Sequence, residues 1–187
     1  MPSGGIAPDR LGLPQAGLRL DWNVGAADSL TVEGGAYDGR YRSTRYTTEQ
    51  AADFLLKGSH AMVRWKHLLS PRSTTETEAY CDWFTRTPDP GESRNNCELQ
   101  FQNDYEVNAR QSLIWGGSFF STGDDLAVDA DIIPYRRRNT VESGFAQYGI
   151  ALAPDRLRII AGSKFEHNQY TGFEYQPQVR AVWTPIH

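Results

Sequence analysis

No run of apolar residues in this 187-residue sequence approaches the ~20 that a helical membrane span needs. Basic charge is not in surplus either. Nineteen Lys and Arg against 23 Asp and Glu leave a net charge of -4 with both signs interspersed, which gives a nucleic-acid backbone no basic stripe to follow. The four histidines (His60, His67, His167 and His187) keep no ligand spacing with one another or with the only two cysteines, Cys81 and Cys97, and neither H-E-x-x-H nor C-x-x-C occurs. There is no G-x-S-x-G elbow, and Gly34-Gly-Ala-Tyr-Asp-Gly39 lacks the spacing of a phosphate-cradling loop. The expectation is a protein that is not an enzyme, with no cofactor, no metal and no nucleic-acid partner. Met1-Pro-Ser-Gly-Gly-Ile-Ala-Pro8 has neither the basic nor the apolar region of a signal peptide.

What is present is alternation. Leu157, Ile159, Ala161 and Phe165 share one parity, and Arg158, Lys164 and Glu166 the other, which is the period of a strand with one apolar and one polar face. The same pattern recurs from Gly17 onward in about nine segments, after a Gly- and Pro-rich loop over residues 1–16. Leu18, Leu20, Trp22 and Val24 oppose Arg19, Asp21 and Asn23; a turn centred near Ala26-Ala-Asp28 then pairs Trp22 with Val32. Residues 43–57 form a connection in which Thr48 to Leu56 suits a short helical turn. A turn at Pro71 sets Lys66 opposite Glu76 and Arg64 opposite Glu78, favouring that register through opposite charge. Leu99, Phe101 and Tyr105 give the next apolar face, followed by Leu113, Trp115 and Phe119, with residues 122–137 as a long loop. Tyr148, Ile150 and Leu152 hold one phase that Val141 and Phe145 break, which suggests a bulge between them. Ile150 then faces Ile159 and Leu152 faces Leu157. His167 to Glu174 separates the last two strands as a long loop. The fold class is all-β: an antiparallel up-and-down meander of about nine long strands.

Loop lengths sort by side. Turns after the odd segments are short and connections after the even ones mostly long, the arrangement of outer-membrane barrels. The mean hydropathy of -0.57 is compatible with such a barrel, because only alternate residues of each strand face lipid. All five tryptophans (Trp22, Trp65, Trp83, Trp115, Trp183) fall on the outward parity, as interface residues do. The reversed assignment, apolar inward and polar outward, describes a self-contained soluble antiparallel barrel binding a small ligand; it is the alternative.

Three ordered strings carry a resemblance: Pro154-Asp-Arg-Leu-Arg158, Gly162-Ser-Lys-Phe-Glu-His-Asn-Gln-Tyr-Thr-Gly-Phe-Glu174, and Gln176-Pro-Gln-Val-Arg-Ala-Val-Trp-Thr-Pro185. With Leu18-Arg-Leu-Asp-Trp22 and Asp28-Ser-Leu-Thr-Val-Glu-Gly-Gly-Ala-Tyr37, they resemble the barrel of bacterial TonB-dependent outer-membrane receptors. The resemblance implies that residues 17–187 are part of a transmembrane β-barrel without its plug domain, an internal piece of a longer exported precursor. It further implies location in the bacterial outer membrane, contact with outer-membrane lipid, and energy-coupled uptake of a ferric siderophore or similar scarce solute by the parent protein. The TonB complex would be contacted through an N-terminal region this chain lacks.

Arg94, Tyr135, Arg136, Arg137, Arg138 and Tyr170 lie at expected extracellular loop ends, where cationic and aromatic groups suit an anionic chelate. Glu76, Glu78 and Asp82 read as a solvated lumen wall neutralised by Arg64 and Lys66. Cys81 and Cys97 are symmetric about Asp89 on neighbouring strands and share the outward parity, which leaves two readings open: a disulfide, or two free thiols facing lipid or a neighbour.

Overall fold

The computed structural model describes residues 11–44, 51–87, 91–126 and 136–185, and every element in them is a strand. In chain order these are β1 (Leu11–Gly12), β2 (Gln15–Val24), β3 (Asp28–Thr44), β4 (Ala51–Ser70), β5 (Ser73–Thr87), β6 (Glu92–Asn108), β7 (Gln111–Leu126), β8 (Arg136–Ala153), β9 (Leu157–Asn168) and β10 (Gly172–Trp183). From β3 to β10 each strand pairs antiparallel with its sequence neighbours in one continuous sheet. β1 and β2 lie on the same edge of β3 in a single register, Leu11 opposite Tyr41 and Gln15 opposite Tyr37. They are one strand interrupted at Pro14, which has no N–H to give the ladder but accepts the Asp38 N–H at 3.1 Å. Among the described residues the meander therefore has nine strands, and residues 11, 12, 15 and 16, expected in a loop, belong to the first of them.

Apolar faces fix parity, and turn chemistry fixes register. Lys66 faces Glu76, Arg64 faces Glu78, and Cys81 faces Cys97, as the sequence indicates. Trp22 faces Leu30 rather than Val32, because the turn begins at Gly25, whose φ of 77° opens it a residue early. At the other end of the chain Ile150 faces Ile159, but Leu157 faces Ala153, and Leu152 sits in a bulge. The expected bulge between Val141 and Tyr148 is absent: β8 runs in unbroken register from Arg136 to Ile150. Val141 and Phe145 keep their phase and point to the polar side, opposite Phe120 and Gly116.

Ala51–Leu56, expected within a helical turn, extend β4 against Gly39–Thr44; Thr48 to Gln50 lie outside the described residues. Residues 122–126 likewise extend β7 and residues 136–137 open β8, shortening the loop expected over 122–137. The long loop expected over His167–Glu174 closes instead as a turn at residues 169–171. Asn168 Oδ1 accepts the N–H groups of Tyr170 and Thr171, both at 2.9 Å, and Gly172 takes a φ of 74°. An Asn that caps its own turn and a glycine able to adopt positive φ make a tight hairpin. Short turns thus occupy one end of the sheet throughout, at residues 25–27, 71–72, 109–110 and 154–156. The opposite end is reached through residues 45–50, 88–91 and 127–135 and through this last tight turn.

The apolar face is the exposed one. Leu18, Leu20 and Trp22 on β2, Val63 and Trp65 on β4, Leu99 on β6, Trp115 and Phe119 on β7, Phe165 on β9, and Val179 and Trp183 on β10 all stand exposed on one side. The polar side chains opposite them on β5 (Glu76, Glu78, Tyr80, Asp82) are half-buried. The soluble alternative requires the reverse, with apolar side chains enclosed and charges in bulk water.

Candidate functional site

On the outward face the aromatic residues gather toward the two ends of the strands. Trp22, Trp65, Tyr105, Trp115, Tyr148 and Trp183 lie toward the short turns and Trp83, Phe165 and Tyr175 toward the other end, with Phe101 and Phe119 nearer mid-strand. Trp65 shows how such a residue suits a boundary, its ring exposed and its Nε1–H donated to Asp28 Oδ1 at 2.8 Å. Between the two groups stand small and aliphatic residues such as Ala61, Ala79, Leu99 and Val179. Along β10 the stretch from Tyr175 to Trp183 matches the ~9–11 residues with which a tilted strand crosses the hydrocarbon core. The tryptophans are 44 to 72% exposed, a placement that only a non-aqueous neighbour makes favourable.

The inward face carries paired charge. Arg64 Nε donates to Glu78 Oε2 at 2.6 Å and lies 3.4 Å from Glu76 Oε1, so Arg64 rather than Lys66 reaches both carboxylates. Arg19 bridges Asp21 and Glu33 at 2.9 and 3.1 Å, Lys164 reaches Glu166 at 2.8 Å, and Asn96 donates to both Asp82 oxygens. Glu76, Glu78, Glu98, Gln100, Ser143 and Lys164 surround a recess of about 300 Å³. Among the described residues no group of His, Cys, Asp and Glu is arranged to hold a metal. One part of this face is aromatic. Tyr41 stacks on Phe54 at 4.9 Å, and Tyr37 lies across Gly58, where a Cβ would come within 2.5 Å of its ring.

The sequence-selected arginines come together at the end of the sheet reached by the longer connections, and strand parity then divides them. Arg94 and Arg137 point inward on either side of Asp124, since Arg94 faces Asp124 across β6–β7 and Asp124 faces Arg137 across β7–β8. Arg94 Nε donates to Asp124 Oδ1 at 2.5 Å. That hydrogen bond, lying on the loop side of Trp83, raises the guanidinium pKa above its ordinary value. The Arg137 guanidinium carbon lies 4.4 Å from the centroid of the Tyr170 ring, tying β8 to the β9–β10 turn by a cation–π contact. Arg136 and Arg138 point outward, Arg136 paired with Asp125 at 2.8 Å and Arg138 opposite Gly123. Tyr135 lies outside the described residues. Asp124 and Asp125, which organise this cluster, are missed by a reading that leaves them in a loop. Their signal is the register of Arg94, visible only once β7 is extended.

The structure draws Cys81 and Cys97 together with their sulfurs bonded, the first of the two readings.

An open antiparallel wall with lipid-suited residues outside and salt-bridged residues inside is a section of a transmembrane β-barrel. Solved structures place its fold among bacterial outer-membrane receptors. The siderophore receptor PirA from Pseudomonas aeruginosa superposes with a TM-score of 0.78 over 94% of this chain and 31% of its own, at 12% identity. PirA from Acinetobacter baumannii gives 0.73 over 97% and 33% at 9% identity. The copper transporter OprC gives 0.65 over 95% and 34% at 14% identity. The chain therefore spans about a third of the length of each. No family model matches the sequence, and no curated protein sequence does.

Proposed function

We propose that these residues form nine strands of the barrel of a TonB-dependent outer-membrane receptor, whose parent protein imports a ferric siderophore or a similarly scarce solute. The observation that carries this reading is the inverted solvent preference of the sheet: exposed tryptophan and leucine on one face, ion pairs on the other. The relatives in fold include receptors for siderophores and a transporter of copper, which supports uptake of a metal or its chelate. Coupling to the TonB complex and filling of the lumen by a plug belong to the parent protein.

Within that reading Arg94, Arg137 and Tyr170 stand at the lumen mouth, where an anionic chelate passing inward meets two guanidinium groups and an aromatic ring. Arg136 and Arg138 share the mouth but face the barrel exterior, and Tyr135 stays a candidate by its neighbourhood in sequence. Asp124 holds the inward pair in place.

The test is made on the full-length gene product. It should fractionate with the outer membrane, migrate faster unboiled than boiled, and restore growth of an iron-starved receptor-null strain on at least one ferric chelate. Arg94→Ala/Arg137→Ala should weaken chelate binding severalfold while leaving the unboiled mobility unchanged. Recovery of the protein in the soluble periplasmic or cytosolic fraction would end the proposal.

A further inference from the structure

The disulfide joins directly opposed residues of β5 and β6 and stands exposed on the apolar face. Trp83 lies two residues along β5 toward the longer connections, and Ala79 and Leu99 form the next outward pair toward the short turns. Both sulfurs therefore sit inside the band that meets hydrocarbon. A cysteine is oxidised as its thiolate, by attack on a disulfide, and needs water and access for its oxidant. Apolar surroundings raise a thiol pKa and suppress the thiolate. Once this face is in lipid, neither thiol is open to a protein-sized oxidant.

The hairpin also has a reason to need the bond. From the β4–β5 turn toward Cys81 the outward face of β5 carries only Ser73, Thr75, Thr77 and Ala79, with no large apolar side chain. Slippage by two residues would preserve that face, so apolar pattern alone holds the register weakly. A covalent link across the pair excludes the slip.

We infer that Cys81 and Cys97 are a substrate of a soluble thiol–disulfide oxidant of the periplasm, and that the bond closes before β5 and β6 enter the membrane. This rests on the outer-membrane reading above. One cysteine thiolate attacks the oxidant's disulfide, forming a mixed disulfide and releasing one oxidant thiolate. The second cysteine thiolate attacks the chain sulfur of that mixed disulfide, and the oxidant leaves as its dithiol. Two electrons pass to the oxidant, and the two protons lost by the cysteines balance those its dithiol gains. The β5–β6 hairpin then reaches the barrel already closed, with its register set.

Pulse-chase labelling of the full-length protein in cells tests the order of events. Samples are chilled at mildly acidic pH to stop thiol exchange, split into folded and unfolded forms by unboiled mobility, and each form is then denatured by boiling and alkylated with a maleimide-polyethylene glycol. The fast-migrating folded form should carry no maleimide at any time, and doubly labelled chains should appear only in the slow-migrating fraction. Dithiothreitol present during the pulse should lower the folded fraction severalfold in the wild type and leave the rate of Cys81→Ser/Cys97→Ser unchanged. A folded form with two free thiols that oxidises later overturns the inference, as does an equal effect of dithiothreitol on the serine variant. If no heat-modifiable form appears at all, the outer-membrane reading itself fails and takes this inference with it.

Discussion

Leu99 and Gln100 are chain neighbours that meet different solvents: Leu99 stands 52% exposed on the apolar face, and Gln100 on the opposite face donates to Glu98 at 2.8 Å. Leu99→Arg puts a guanidinium into hydrocarbon and should lower the folding free energy of the parent barrel in lipid vesicles by about 2–4 kcal/mol, as read by urea titration. Gln100→Arg should change it far less, since its site is already wet and acidic. Equal losses at the two positions would contradict the assignment of faces. Gly116 offers a steric counterpart. A Cβ there would run into the backbone carbonyl of Phe101 and crowd the Phe145 ring at 3.0 Å. Gly116→Ala should therefore cost roughly 1–3 kcal/mol in the same titration, as overpacking does where backbone must move. Gly144 has only a backbone oxygen at 3.8 Å in its way, and Gly144→Ala should be tolerated.

At the scale of strands and hairpins, the β4–β5 pair tests how charge sets register. Arg64 is shared between Glu76 and Glu78, the latter with 23% of its side chain exposed, so a double-mutant cycle on Arg64→Ala and Glu78→Ala should yield a coupling of about 0.5–1 kcal/mol that shrinks in high salt. A coupling near zero at low salt would mean that the Pro71–Arg72 turn sets the register without help. Sequence alternation made the parity of nearly every strand legible, because a one-residue slip would exchange the two faces and the pattern forbids it. Registers could be read where a marked pair fixed them, as with Arg64 and Glu78 or Cys81 and Cys97. Trp22 was misplaced by two residues because such a slip conserves parity, and only the positive φ of Gly25 decides between the two turns. Val141 and Phe145 looked like a phase error only on the assumption that a lumen wall is polar throughout; Gly116 makes room there for a ring. A run of three arginines holds no directional information until its strand is known. That is why the division of Arg136 and Arg138 from Arg137 emerges from register alone.

For the whole molecule the unfinished feature is its pair of edges. Among the described residues β2 pairs only with β3 and β10 only with β9, so their sheet does not close on itself. Each free edge presents backbone N–H and C=O groups that water satisfies and lipid does not, at a cost of several kcal/mol for each group left unpaired in hydrocarbon. Pro177 withholds one N–H from the β10 ladder, and no comparable device interrupts β2 between Gln15 and Val24. The apolar wall drives the sheet toward a bilayer while the open edges forbid it to rest there, and both demands are met when further strands continue the wall on either side. The three relatives in fold are each about three times as long, enough length for such strands. Produced as these 187 residues alone, the chain should therefore self-associate edge to edge or aggregate, giving a broad distribution by light scattering in detergent and no single compact species. The same residues within the full-length barrel should resist protease in the unboiled state. A monodisperse, fully folded monomer of the 187 residues in plain buffer would show that the exposed tryptophans have found an aqueous solution after all, and the membrane assignment would fall with it.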